Sequence, residues 1–255
     1  NIRLDQYCNL NQINSNEKVY RIWPANEDDY MKTNQELPYR NGTMYYEQIN
    51  YTNVSESDAE LHAINNGNLL ILGSPGTGKS HFAKKCCLQL EAAGKKVARI
   101  SKTPVASSRI GGVTADHFCQ RFIIHGSSKF NVIWIEEIFQ LDVTLWCHLN
   151  KLAHTNVQII LSGDPDQFNP ISNTFRGCQV PEDLLQNSQY LHCLSGGKML
   201  RLTDCQRSDA MLFDFYNKVS VHRQNLQDMI SEARRKIPVK AKYCERNLVI
   251  SHKHR

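Results

Sequence analysis

The chain has 255 residues, of which 41% are apolar and 22% are charged, a balance that excludes a disordered tail and a fibrous repeat. No apolar run approaches the ~20 residues that a bilayer-spanning helix needs, so we expect a soluble protein without a membrane partner. The net charge of +5 is unevenly distributed: residues 1–60 carry 5 Lys and Arg against 10 Asp and Glu, and residues 61–255 carry 25 against 15. The basic later part favours a polyanionic partner, although an ordinary solvated basic surface would have the same composition.

The nine cysteines form no C-x-x-C pair, and several of them lie in apolar periodic segments. This pattern predicts reduced thiols in an intracellular protein of the nucleus or cytoplasm, rather than a disulfide framework or a zinc site. The sequence begins at Asn1 without an apolar signal region, so we expect a processed start or a piece of a longer protein.

The predicted elements begin after residues 1–56, a polar, acidic and Asn-rich stretch that we expect to be an accessory segment. A first helix is predicted to start at Ser57 as its cap, with Glu60 three residues later. From residue 68 onward, short apolar runs alternate with helical patterns. Strands are predicted at 69–72, 97–101, 132–135 and 157–162, and helices at 79–93, 114–123 and 141–153. This alternation indicates an α/β fold with a parallel sheet flanked by helices.

After residue 170 the alternation becomes weaker. Strands are predicted at 190–194, 199–202 and 247–251, and helices at 209–219 and 226–235. The sequence ends on an apolar strand and a basic tail, where a parallel α/β domain would normally continue. We therefore expect the later part of the chain to be incomplete.

The strongest functional pattern is a phosphate loop with the spacing G-x-x-x-x-G-K-S between a predicted strand and a predicted helix. Its glycines allow successive backbone N–H groups to point at phosphate oxygens, and the helix adds the positive end of its dipole. The lysine would reach the outer phosphates, and the serine hydroxyl would ligate Mg²⁺. The pattern predicts binding of a nucleoside triphosphate. The residues are Gly73, Ser74, Pro75, Gly76, Thr77, Gly78, Lys79 and Ser80.

Two further polar patterns directly follow predicted strands. Glu136 and Glu137 come after the strand at 132–135, where one carboxylate can hold Mg²⁺ through water and its neighbour can deprotonate an attacking water. An ordinary acidic pair at a helix start is the alternative, and the phosphate loop favours catalysis. Gln167 lies in the segment GDPDQFNP, where its amide can contact both the γ-phosphate and the attacking water. Taken alone, that segment has the composition of a turn.

In this order, the phosphate loop, the acidic pair and the Gln167 segment resemble superfamily 1 helicases, and more closely their RecD-like branch. Residues 110–118, IGGVTADHF, resemble the family motif that touches single-stranded nucleic acid. Residues 202–208, LTDCQRS, resemble the motif whose arginine reaches the γ-phosphate, and residues 247–255 resemble the start of a motif in the second motor lobe. The resemblance covers about residues 57–255. It implies a RecA-like P-loop NTPase domain at 57–180 and an incomplete second RecA-like lobe at 181–255.

The resemblance also implies a function, cofactors and residue roles. We expect an ATP-dependent helicase, present as a fragment, that uses ATP and Mg²⁺ and binds and unwinds single-stranded nucleic acid, with DNA favoured. Phe168 and Phe118 are candidate platforms for base stacking, although either could be an ordinary core residue. For His117 and Arg207, a helix-turn histidine and a solvated arginine are the alternatives. The implied roles are phosphate and Mg²⁺ binding for Lys79 and Ser80, Mg²⁺ binding for Glu136, the base for Glu137, the sensor for Gln167, an arginine finger for Arg207, and nucleic-acid contacts for Thr103, Thr114 and His117.

Three departures from the family pattern leave a second function open. The family has Asp-Glu where this chain has Glu136 and Glu137, it has an adenine-reading glutamine that is not evident near residues 57–60, and its last motif is not in this sequence. The second hypothesis is therefore a nucleotide-binding switch or regulatory module that has the motor fold without unwinding. A small-molecule kinase is a third alternative, but it would give the Gln167 segment no role.

Overall fold

The computed structural model describes residues 50–124, 129–167, 170, 173–175, 178–180, 185–186, 188–222 and 226–236. The chain forms two compact units, Asn1–Arg207 and Ser208–Arg255. Most of the accessory segment, Phe168 and the strand expected at 247–251 lie outside the described residues, so these expectations stay predictions.

Seven strands of the first unit form one parallel sheet in the order β1–β9–β2–β6–β5–β3–β4, and β7 pairs with β8 in a small antiparallel ribbon. Because every neighbouring pair in the large sheet is parallel, all its strands end at the same edge, called here the carboxyl edge. The α/β fold with a parallel sheet is confirmed. The strands are β1 Thr52–Asn53, β2 Leu69–Gly73, β3 Val97–Ser101, β4 Val113–Thr114, β5 Val132–Glu136, β6 Gln158–Gly163, β7 Thr174–Phe175, β8 Cys178–Gln179 and β9 Lys198–Leu202.

The helices of the first unit cover both faces of this sheet, and two more helices lie in the second unit. Most of those in the first unit start at a side-chain cap: the Ser55 hydroxyl accepts from the Asp58 N–H, and Asp142 and Ser188 cap two later helices in the same way. The α-helices are α1 Glu56–Ile64, α2 Lys79–Ala92, α3 Pro104–Arg109, α4 Ala115–Phe118, α5 Val143–Leu149, α6 Gln189–Leu194, α7 Ala210–His222 and α8 Leu226–Lys236; a π-helix spans Cys119–Ile123, and 3₁₀ turns span Ile138–Gln140 and Asn150–His154.

The sheet separates two hydrophobic cores because alternate residues of each strand point to opposite faces. On β5, Trp134 packs with α1 and α2 on one face, while Ile133 and Ile135 pack with α4 and α5 on the other. Strands β2, β5 and β6 are buried along their whole length, as expected for central parallel strands covered on both sides. Because side chains alternate along a strand, Glu136 and Ser162 lie on the same face as Trp134 and Ile160, the face that carries α2.

Several expected elements differ from the structure. Residues 190–194 were expected as a strand but form α6, because the Ser188 hydroxyl caps a helix there and a short apolar run has no unique period. The cap of α1 is Ser55 rather than Ser57. The helices expected at 114–123 and 141–153 are each a shorter α-helix continued by a π-helix or a 3₁₀ turn.

The sheet continues beyond residue 180, where we expected the motor domain to end. Strand β9 lies between β1 and β2 in the first unit. In the second unit, α7 and α8 confirm the two helices expected there, and Phe213 and Tyr216 of α7 make an edge-to-face ring contact at 5.3 Å. The division into two motor lobes stays a prediction. Within the described ranges, no helix has both the length and the apolar content needed to cross a membrane.

Candidate nucleotide-binding site

The phosphate loop connects the carboxyl end of β2 to the first turn of α2. Gly78 has φ +94°, a left-handed backbone conformation that residues other than glycine rarely adopt. The Lys79 Nζ donates to the carbonyl oxygens of Gly73 at 2.6 Å and Ser74 at 3.0 Å, and the Thr77 hydroxyl donates to Ser74 at 2.9 Å. The lysine side chain of the phosphate loop is therefore hydrogen-bonded to the backbone at the start of the same loop.

The loop lies directly beside the end of β9. A Cβ at Gly73 would lie 2.5 Å from the carbonyl oxygen of Leu202 and 2.6 Å from the Thr77 hydroxyl oxygen, so only glycine fits there. The Gln206 N–H donates to the carbonyl of Gly76 at 2.8 Å. The segment that carries the predicted arginine finger is thus attached to the phosphate loop by the backbone.

Helix α2 begins without a side-chain cap, unlike α1, α3 and α5, which are capped by Ser55, Thr103 and Asp142. The first N–H groups of a helix have no partner within the helix, and a phosphate group at this position can accept from them. The uncapped start of α2 therefore has the chemistry that an anion requires.

Glu136 ends β5 at the carboxyl edge and is 7% exposed. One carboxylate oxygen contacts the Ser80 hydroxyl on α2, and the other contacts the Ser162 hydroxyl on β6. The Trp134 indole donates to the same Ser162 oxygen at 2.7 Å. Sequence reasoning expected Glu136 and Ser80 to share a role, and the structure brings them together. It missed Ser162 and Trp134, because only the pairing of β5 with β6 places Ser162 opposite Glu136.

Glu137 follows directly and has φ +55°, which is uncommon for a residue with a side chain. Burial is the main reason that the pKa of its carboxyl is raised, and the neighbouring Glu136 charge raises it further. Arg109, at the end of α3, and Lys79 oppose this shift by attraction. A carboxyl group with a raised pKa accepts a proton more readily, which suits the expected role of a base.

The charges near the loop partly compensate one another. Burial lowers the pKa of Lys79, while the carboxylates of Asp164 and Glu136 oppose that shift and the nearby Arg207 adds to it. Asp164 is 6% exposed, and burial raises the pKa of its carboxyl. The structure thus brings Arg207, itself exposed, close enough to act on Lys79. Asp164 was missed because a Gly-Asp-Pro segment also has the composition of an ordinary turn.

Gln167 lies at the same edge of the sheet. Its N–H donates to the Asp164 carbonyl at 3.3 Å, and its side-chain oxygen accepts from the Gln140 amide at 3.4 Å. Its side chain is close enough to Asp164 to lower the pKa of that carboxyl. The next residue, Phe168, lies outside the described residues, so its expected stacking role stays a prediction.

The residues present fit a nucleotide with Mg²⁺. The Ser101 hydroxyl is fully buried opposite Glu136 on the neighbouring strand, and it lies close enough to Glu137 to lower the pKa of that carboxyl. Hydroxyl and carboxylate oxygens of this kind are the ligands that Mg²⁺ and its bound water prefer. Lys79 and the uncapped start of α2 would hold phosphate, and Ser80 and Glu136 would hold the metal.

The candidate nucleic-acid residues lie at the ends of β3 and β4. The Thr103 hydroxyl accepts from the Ala106 N–H at 3.2 Å, and the Thr114 hydroxyl accepts from the His117 N–H at 3.4 Å, so both threonines cap helices. His117 is exposed. Phe118 is fully buried in the core, and the idea that it is a stacking platform is therefore wrong.

Residues 55–189 match the family model described as "AAA domain", and the chain belongs to this family. No curated protein matches the sequence. The predicted P-loop class of the fold is therefore confirmed by a match that covers more than half of the chain.

The fold is also similar to solved structures of Pif1 helicases. The Pif1 helicase from Candida albicans is 19% identical over 76% of this chain and 48% of its own, with a TM-score of 0.55. A Bacteroides Pif1 bound to single-stranded DNA is 16% identical over 71% and 50%, with a TM-score of 0.51. Bacteroides Pif1 in complex with ADP-AlF₃ and single-stranded DNA is 17% identical over 74% and 49%, with a TM-score of 0.50.

The chain spans about half of the length of these solved structures. At these identities the likeness concerns the fold. It confirms the RecA-like parallel sheet.

Proposed function

We propose that this protein hydrolyses ATP as the motor part of a DNA helicase. The observation that carries the proposal is the meeting of three carboxyl-edge segments: the phosphate loop, the Glu136–Glu137 pair and the Asp164–Gln167 turn. In this arrangement Ser80 contacts Glu136 across two elements, and Gln167 lies beside Asp164. A helix N-terminus with a lysine, a metal-binding carboxylate and a second carboxylate of raised pKa is what phosphoryl transfer to water needs.

Each residue of the site has its own role in the proposed hydrolysis. Lys79 and the first N–H groups of α2 bind the outer phosphates, and Ser80 and Glu136 would hold Mg²⁺, which would offset negative charge on the phosphate oxygens. Glu137 orients the attacking water and takes its proton, helped by the pKa that burial raises. Gln167 contacts the outer phosphate and the same water. Arg207 acts as a positive charge on the side of the loop next to β9.

Single-stranded DNA is proposed as the partner that stimulates hydrolysis. Two of the structural relatives are described as bound to single-stranded DNA, which supports this choice. In this chain, Thr103 follows β3, Thr114 ends β4 and the exposed His117 follows β4, at the same edge as the nucleotide site. The excess of Lys and Arg in residues 61–255 supports contacts with a phosphate backbone.

The test compares ATP hydrolysis by the full chain with and without single-stranded DNA. We expect turnover that DNA stimulates and that Lys79→Ala reduces by at least about a hundredfold, because the outer phosphates lose their charged partner. Lys84→Ala is the matched control, since Lys84 is an exposed lysine on the same helix. Absence of hydrolysis in both conditions contradicts the proposal. Tight ATP binding with negligible turnover would support the nucleotide-binding switch instead.

A further inference from the structure

The Glu136 carboxylate is held by a chain of buried side chains that starts in the hydrophobic core. Trp134 and Ser162 are both fully buried, and both lie on the sheet face that carries α2. The Trp134 Nε1 donates to the Ser162 oxygen at 2.7 Å, and the Ser162 hydroxyl contacts one oxygen of Glu136. Strand pairing explains this, because Glu136 lies opposite Ser162 in the parallel register of β5 and β6.

The direction of the hydrogen bonds in this chain follows from the donors. An indole N–H can only donate, so the Ser162 oxygen accepts from Trp134 and turns its own proton elsewhere. The available acceptors are the Glu136 carboxylate and, at 3.4 Å, the carbonyl of Ile135. The Ser162 hydroxyl donates to the Glu136 carboxylate, because hydrogen bonds to a carboxylate are about twice as strong as neutral ones. Trp134 therefore orients the Ser162 hydroxyl towards Glu136.

We propose that Ser162 and Trp134 are positioning residues that fix the Glu136 carboxylate for Mg²⁺, and this inference rests on the proposed function. Glutamate has one more rotatable bond than the aspartate of the resembling family, so its carboxylate needs more support to keep one orientation. Ser80 and Ser162 provide it by contacting one oxygen each. The two serine contacts thereby explain how the longer glutamate side chain can keep its carboxylate in one orientation at this position.

The experiment measures Mg²⁺-dependent binding of fluorescent ADP to the full chain, a readout that requires no hydrolysis. Ser162→Ala and Trp134→Phe each raise the half-saturating Mg²⁺ concentration by about tenfold, the usual effect of removing a group that orients a metal ligand. Affinity for ADP without Mg²⁺ stays unchanged, because neither residue contacts the phosphate loop lysine. The double variant shows no further increase, since both substitutions interrupt the same chain of hydrogen bonds.

Two control variants match these substitutions in kind. Trp146→Phe changes a buried indole on the opposite face of the sheet, and its Nε1 has no hydrogen-bond partner among the residues that the structure describes. Ser195→Ala removes a buried hydroxyl that donates to the His192 carbonyl before β9, far from the carboxyl edge. Both controls keep the Mg²⁺ response of the original protein. If Trp134→Phe does not fold, Ser162→Thr replaces it in the experiment. This variant retains the hydroxyl, so we expect it to keep most of the Mg²⁺ response of the original protein.

The outcomes separate the two proposals. An unchanged half-saturating Mg²⁺ concentration in Ser162→Ala overturns the positioning role, and so does an equal change in Trp146→Phe. Additive effects in the double variant also overturn it, because independent losses of packing would add. If the original protein binds ADP with a Mg²⁺ response but does not hydrolyse ATP, the proposed function fails and the positioning role is still decided by the variants. If the original protein does not bind ADP, both fail.

Discussion

Replacement of Gly73 by alanine tests the close approach of the phosphate loop to β9. The added Cβ would lie 2.5 Å from the Leu202 carbonyl oxygen and 2.6 Å from the Thr77 hydroxyl oxygen, whereas ordinary contact begins near 3.4 Å. The backbone of one strand must therefore move by about 0.9 Å, the difference between 3.4 and 2.5 Å. Gly73 and Leu202 are paired in the sheet, so the movement cannot be absorbed by a flexible side chain. Overpacking of this kind costs about 1–3 kcal/mol.

The same strain acts on nucleotide binding, because the Gly73 carbonyl accepts from Lys79 and β9 leads into Gln206. A loss of 1–3 kcal/mol in binding corresponds to roughly a 5- to 150-fold weaker affinity for ADP. The assay is titration with fluorescent ADP together with urea denaturation. Gly94→Ala is the control: no atom of the described part of the chain lies within 4 Å of a Cβ placed there, although φ +81° costs stability. If Gly73→Ala binds ADP as tightly as the original protein, the close approach to β9 does not constrain the loop.

Two further predictions concern charge and stability. Arg109→Ala removes the main charge that lowers the pKa of Glu137. A base works only when it is deprotonated, so the rise of kcat with pH moves to higher pH in this variant. A pH–rate profile that matches that of the control Lys84→Ala contradicts this prediction. Gln158→Leu removes the bonds from its Nε2 to the carbonyls of Ala63 at 2.6 Å and Gly67 at 2.8 Å. We expect a loss of about 2 kcal/mol in urea denaturation, with Gln120→Leu, at an exposed position, as the control.

The sequence alone determined the local parts of this protein. The phosphate loop, the central strands and most helices follow from nearby residues, because glycine spacing, caps and apolar periodicity act over only a few positions. The same local reasoning failed for α6, where a short apolar run fits both a strand and a helix until the Ser188 cap is seen. For Phe118, the sequence left a stacking platform and an ordinary core residue open, and its complete burial decides for the core residue.

Only the tertiary structure decided how the parts meet. The order β9–β2–β6–β5 places residues far apart in sequence side by side, so Ser162 reaches Glu136 and Gln206 reaches Gly76. Asp164 became relevant for the same reason, since its burial near Lys79 depends on where β6 ends. Strand order and register are set by the total burial of the two cores, a sum over the whole sheet that no short segment contains.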